Sequence, residues 1–132
     1  MFSFDEQKSS FTTAIRTRNI QDIISHIKRG TNINTDAGGI RVFEALLASQ
    51  KPSTQTALNL VLSHPGWNPN YRSADTFHPE ERAMLHKRED IALRIIQHPN
   101  FDKKSYPRVI QSAERFQADK VLQFFADQSH VR

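Results

Sequence analysis

Hydrophobic residues recur along this chain with the spacing of an amphipathic α-helix. The clearest case is the stretch 22–34, DIISHIKRGTNIN, together with the residues just before it, where isoleucines three and four residues apart share one helical face. This stripe consists of Ile20, Ile23, Ile24 and Ile27. Asn19 suits the start of such a helix and Gly30 suits its end. The pattern therefore predicts a helix between these two residues.

The same layout returns at intervals of 34 residues. Each copy has an apolar helical stripe, a stop, and then a hydrophobic residue followed by Asn or Asp, as in GTNIN, HPGWN and HPNFD. The matched positions are Ile27, Val61 and Ile95 in the helix and Ile33, Trp67 and Phe101 after it. Because apolar residues recur at both positions, the repeat predicts that Trp67 and Phe101 pack in the core.

Capping residues and helix breakers predict the other helix boundaries. Ser3 and Glu6 have the spacing of a capping box and predict a first helix over about 4–16. Ser53 follows a proline break and is predicted to cap a later helix. Pro107 suits the first turn of the last helical pair.

The segment 79–97 can be read either as one helix or as a pair of helices. Pro79 suits a helix start, and no glycine or proline follows it before the next apolar stripe. One continuous helix therefore competes with a hairpin that turns near 89–90, and the repeat register favours the hairpin. The segment 127–132 is expected to fray.

The predicted fold class is all-α, with about four helical pairs stacked in one domain, 1–132. No useful length of sequence alternates with a period of two, so the pattern predicts almost no sheet. Units of this size bury their apolar faces only against neighbouring units. A nonrepetitive helical bundle is the alternative.

These motifs resemble one family of stacked repeats. The ending Gly30-Thr31-Asn32-Ile33-Asn34 resembles the Gly-Ala-Asp-Ile-Asn ending of an ankyrin repeat. The two His-Pro endings, at 64–68 and 98–102, are similar to a variant found in divergent ankyrin-like proteins, including effectors of intracellular bacteria. The resemblance covers about 11–125 and implies an ankyrin-like solenoid of about four units.

Composition restricts the compartment and the partners. The chain has 132 residues, no cysteine, and a net charge of +4 at pH 7. It contains neither an apolar run of transmembrane length nor a classical signal peptide. We expect a cytoplasmic protein, with delivery into a host cell by a specialised secretion system as a further route. The positive charge admits an acidic protein, nucleic acid or anionic lipid as partner, but the excess is modest and basic residues alternate with acids, as expected for a solvated helical surface.

The sequence offers no catalytic constellation. His78, Glu80, Glu81 and His86 form the densest group of metal-ligand types, but His78 and His86 lack the spacing of a two-histidine chelate. The chain also lacks a nucleophile elbow and a phosphate-binding glycine loop. We therefore expect no enzyme activity, no metal and no cofactor. His64 and His98 occupy equivalent repeat positions and are expected to share a structural task.

Protein binding is the function that the resemblance implies. In ankyrin-like proteins the partner lies along the loop tips and the first helix of each pair. Carried to this chain, that surface comprises Arg41, Tyr71, Arg72, Phe77, Lys103, Lys104, Tyr106 and Arg108. Stacking is expected to bring the loops at 71–72 and 103–106 side by side. An alternative role for the aromatic residues is to close the edge of the core. An alternative function for the whole chain is that of a basic nucleic-acid-binding domain.

Overall fold

The computed structural model describes the backbone of residues 4–47, 49, 51–73 and 76–130, and the side chains of most of them. This part of the chain contains eight α-helices and one short 3₁₀ helix, and it contains no strand. The all-α prediction is therefore confirmed. Ser3, the predicted capping residue, lies outside the described residues. No described helix is long and apolar enough to cross a membrane.

The chain divides into two compact units, each with two helical pairs. Unit 1 spans Met1–Asn68 and unit 2 spans Pro69–Arg132. The helices of unit 1 are α1 Phe4–Thr17, α2 Ile20–Lys28, α3 Val42–Leu47 and α4 Pro52–Leu62. Those of unit 2 are α5 Pro79–Leu85, α6 Glu89–Ile96, α7 Tyr106–Phe116 and α8 Asp119–His130, with the 3₁₀ helix Lys103–Ser105 before α7.

The N-termini of α2 and α4 show which of the predicted N-cap residues are correct. Asn19 caps α2, because its side-chain oxygen accepts a hydrogen bond from the backbone N–H of Asp22 at 3.3 Å. The prediction for Ser53 was wrong, since Lys51 is the N-cap of α4 and Pro52 already lies in its first turn. Proline is well tolerated there because the first helical N–H groups need no intrahelical partner.

The segment 79–97 forms a hairpin rather than one long helix. Lys87 adopts a positive φ of 62°, and the backbone N–H of Arg88 bonds back to the carbonyl of Ala83 at 2.8 Å. The turn therefore lies slightly earlier than predicted, because Glu89 is already the first residue of α6.

The last helix is longer than the sequence indicates. α8 continues through His130, so the expected fraying from Asp127 is wrong up to that residue. The side-chain amide of Gln123 donates to the carboxylate of Asp127 at 2.7 Å, one turn further along. Such contacts stabilise helices by a few tenths of a kcal/mol. The remaining two residues lie outside the description.

The repeat register places the matched hydrophobic residues in the cores. Ile33, Trp67 and Phe101 retain only 3%, 1% and 5% exposure, as predicted. In unit 1 the ring of Trp67 lies 5.7 Å from that of Phe43, at the centre of a core that also contains Phe11, Ile15, Ile23, Leu46 and Leu58. The core of unit 2 is formed by Met84, Ile95, Ile96, Val109 and Val121.

Trp67→Ala should lower the free energy of unfolding of unit 1 by about 3–5 kcal/mol, because truncating a buried aromatic residue leaves a cavity. Trp67→Phe keeps a ring beside Phe43 and should cost clearly less. Chemical denaturation monitored by circular dichroism measures both losses. Equal stability of Trp67→Ala and the wild-type protein would contradict the assignment of Trp67 to the core.

Candidate functional site

An asparagine side chain joins two consecutive loops in unit 2. The side-chain oxygen of Asn70 accepts a hydrogen bond from the backbone N–H of Asp102 at 2.8 Å. Its amide nitrogen donates to the carbonyl of Asn100 at 2.6 Å. A carboxamide carries a donor and an acceptor in one plane, so it can satisfy two backbone groups of a neighbouring loop at once. This bridge brings together the loops that follow α4 and α6.

Unit 1 contains the same bridge. The side chain of Asn34 accepts from the backbone N–H of Asn68 at 2.8 Å and donates to the carbonyl of Gly66 at 2.9 Å. The bonded amides, of Asn68 and Asp102, keep the 34-residue spacing. The bridging asparagines, Asn34 and Asn70, are two residues further apart than that spacing. Sequence comparison at 34 residues matches Asn34 with Asn68, and for this reason it missed Asn70.

The two His-Pro endings shape these loops in the same way. The Nδ1 atom of His64 accepts from the backbone N–H of Gly66 at 2.9 Å, and that of His98 accepts from Asn100 at 3.1 Å. Each histidine therefore fixes the turn that the asparagine bridge then holds. The prediction of a shared structural task at these positions is confirmed.

Three of the predicted site residues are exposed cations on the bridged loops of unit 2. Arg72 follows the bridging asparagine, and Lys103 and Lys104 follow its partner Asp102. The carboxylate of Asp102 accepts from the backbone N–H of Lys104 at 3.0 Å and so begins the 3₁₀ helix. Among the described residues, the side chains of the two lysines form no ion pair. We name Arg72, Lys103 and Lys104 the basic loop surface.

The predicted aromatic site residues pack within unit 2. Tyr71 is buried, with 7% exposure, and Phe77 and Tyr106 are half-buried. The Tyr106 ring lies 6.1 Å from that of Phe101 and 5.0 Å from that of Phe125. These positions match the alternative in which the aromatic residues close the edge of the core.

Phe77 is held in the same unit by two contacts. Its ring lies 6.5 Å from that of Phe116, and the guanidinium of Arg82 stands 5.7 Å from its centroid. Arg82 also donates to the hydroxyl of Ser73 at 3.2 Å. Ser73 and Phe77 are thus both held against Arg82 of α5.

Arg108 forms a buried ion pair that the sequence did not reveal. Its Nη1 atom lies 2.8 Å from Oε1 of Glu80 and 3.5 Å from Oε1 of Glu81. The side chain of Glu80 has no exposed surface, whereas that of Arg108 is 30% exposed. Burial raises the pKa of Glu80, and the guanidinium of Arg108 offsets part of that effect. The guanidinium of Arg108 therefore supplies the positive charge that balances the buried carboxylate of Glu80.

Glu81 completes the link between α5 and α7. Its carboxylate accepts from the backbone N–H of His78 at 3.0 Å and from the hydroxyl of Ser112 at 2.6 Å. Burial alone would raise the pKa of Glu81, but the bond from Ser112, the bond from His78 and the nearby positive charges outweigh it, so the pKa is lowered. Its ionised form therefore stabilises unit 2 above the ordinary pKa of 4.5, and this stability is lost as the pH falls below that value.

Arg41, the remaining predicted site residue, belongs to unit 1, whereas the other seven belong to unit 2. It is half-buried, and its backbone N–H donates to the carboxylate of Glu44 at 3.1 Å. It precedes α3 directly. The unit 2 contacts that define the basic loop surface do not involve it.

The two acidic residues of this region, Glu80 and Glu81, are engaged in contacts within unit 2. No group of three or more metal-ligand side chains is assembled in the described part of the chain. Glu80 is enclosed and paired, and Glu81 is occupied by hydrogen bonds from two neighbours. No protein-family model, curated protein or solved structure matches the chain.

Arg108→Ala should destabilise unit 2 by about 3 kcal/mol at pH 7, because it leaves the carboxylate of Glu80 buried without its cation. The pKa of Glu80 in the folded variant should rise further, so the part of the loss that comes from the Glu80–Arg108 pair should grow as the pH increases above 4.5. Urea denaturation at pH 4 and pH 7 measures this difference.

The double variant Glu80→Leu/Arg108→Met is the matched control. It removes both charges and keeps apolar bulk, and it should lie within about 1 kcal/mol of the wild-type protein. An Arg108→Ala variant as stable as wild type at pH 7 would show that the pair has no structural role.

Proposed function

We propose that the chain is a noncatalytic protein-binding module, and that its basic loop surface contacts an acidic partner protein. The observation that carries this proposal is the Asn70 bridge, which fastens the loop of Arg72 to the loop of Lys103 and Lys104. Cations on two joined loops form one recognition surface rather than two separate ones.

The charges of this surface support an acidic partner. Lys103 and Lys104 are exposed, and they form no ion pair with the described residues. Binding an acidic side chain would therefore break no existing ion pair of either lysine. Exposed charge pairs contribute modestly to affinity, but they steer association and select against partners of like charge. The net charge of +4 also steers association toward acidic partners.

The ankyrin-like solenoid is part of this proposal. Its support is the repetition of a helical pair and loop, the recurrence of apolar residues at matched positions, and the same carboxamide bridge in both units. Stacked helical repeats commonly bind other proteins through surfaces that successive repeats build together. An effector, adaptor or inhibitor role fits a module of this kind.

Nucleic acid is the alternative partner, because exposed cations on adjacent loops are also suited to phosphate groups. The salt dependence of binding separates the two partners. Affinity for nucleic acid falls steeply between about 50 and 200 mM salt when several phosphates are contacted.

Arg72→Gln/Lys103→Gln/Lys104→Gln should weaken binding of a purified partner about tenfold, as expected for the loss of three exposed charge pairs. The partner is first isolated by affinity capture on the wild-type protein, and its dissociation constant is then measured by calorimetry. The control is Lys28→Gln/Arg29→Gln/Lys51→Gln. It also removes two lysines and one arginine, but from exposed positions in unit 1.

The control should retain wild-type affinity. Equal weakening by both triple variants would reduce the effect to net charge and contradict the proposed surface. Capture of DNA or RNA with a steep salt dependence, and of no protein, would favour the alternative.

A further inference from the structure

One cation of the basic loop surface is held by a titratable side chain. The Nε–H group of Arg72 donates to the Nε2 atom of His78 at 3.3 Å. Only an unprotonated ring nitrogen can accept this bond, because a protonated imidazole is a donor at both nitrogens. The contact between Arg72 and His78 therefore exists only while the imidazole is neutral.

The groups around His78 decide what protonation would do. The carboxylate of Glu81 lies 4.0 Å from the same Nε2 atom and would attract an imidazolium. The guanidinium groups of Arg72 and Arg108 would repel it. Protonation thus replaces the bond with Arg72 by repulsion and strengthens the attraction to Glu81.

The imidazole is neutral at pH 7. Burial lowers the pKa of His78 below its ordinary value of 6.5, and the charge of Arg108 lowers it further, against the opposing effect of Glu81. The change in protonation therefore falls below pH 6.5, in the range of an acidified compartment. The lowered pKa of His78 also makes unit 2 slightly less stable below pH 6.5, because the unfolded chain binds this proton more readily than the folded one.

We propose that His78 acts as a proton-controlled latch on Arg72: the neutral ring holds the arginine along the loop, and protonation releases it toward an acidic partner. This inference rests on the proposed function, since it regulates the same basic loop surface. Below pH 6.5 the Nε–H group of Arg72 becomes available to a partner, and an imidazolium adds a positive charge beside it. Affinity for an acidic partner should therefore increase as the pH falls.

The latch can be tested without any partner. A pH titration of ¹⁵N-labelled protein by NMR follows the ring nitrogens of His78 and the Nε–H signal of Arg72. The two signals should change together, with a midpoint below pH 6.5, and the Arg72 signal should move toward that of a solvated arginine. Titration of His78 with an unchanged Arg72 signal would overturn the latch, and so would a ring that remains neutral to pH 5.

Binding is tested with a fluorescein-labelled oligoaspartate peptide, whose carboxylates remain ionised above about pH 5. Between pH 7.5 and 5.5 the wild-type affinity should rise about threefold more than that of His78→Gln, the gain expected for one released exposed cation. His86→Gln removes an exposed histidine from the same hairpin and should behave like wild type. Circular dichroism at both pH values verifies folding.

The two proposals fail in different ways. An equal rise in affinity for His78→Gln and wild type would overturn the latch while leaving the basic loop surface intact. Absence of peptide binding at every pH would count against the proposed function, and the NMR titration would still decide the latch.

Discussion

The double hydrogen bond of the Asn70 side chain is the interaction on which the proposed binding surface depends. Loops between helical pairs carry backbone groups that no helix satisfies, and such groups need partners of their own. One carboxamide supplies both a donor and an acceptor to the next loop. Unit 1 uses Asn34 in the same way. The basic loop surface depends on this bridge, which holds the loop of Arg72 beside the loop of Lys103 and Lys104.

Polar side chains also join the two helical pairs of unit 2. Glu81 accepts a bond from Ser112 across the pairs, and Glu89 caps α8 by accepting from the backbone N–H of Lys120 at 2.7 Å. Arg108 is committed to the buried carboxylate of Glu80. In unit 2, Arg108 therefore balances a buried acid, whereas the cations of the basic loop surface remain exposed.

Much of the fold could be predicted from the sequence, and less of the site. Helical periodicity and a 34-residue register locate the buried residues such as Trp67 and Phe101, because burial leaves a repeated apolar pattern. The Glu80–Arg108 pair leaves no such pattern. A glutamate in the first turn of a helix is usually solvated, whereas the side chain of Glu80 is buried and paired with Arg108 of α7. Asn70 was missed because it lies two residues beyond the repeat register.

Hydrogen exchange at the backbone amide of Asp102 tests the central claim most directly. Asn70→Ala removes its acceptor, and a hydrogen bond of this kind contributes about 1 kcal/mol, so the amide should exchange about five times faster than in the wild-type protein. Amides within α6, such as that of Ile95, should keep their protection. Unchanged exchange at Asp102, or equal acceleration throughout unit 2, would contradict the claim that this side chain joins the two loops.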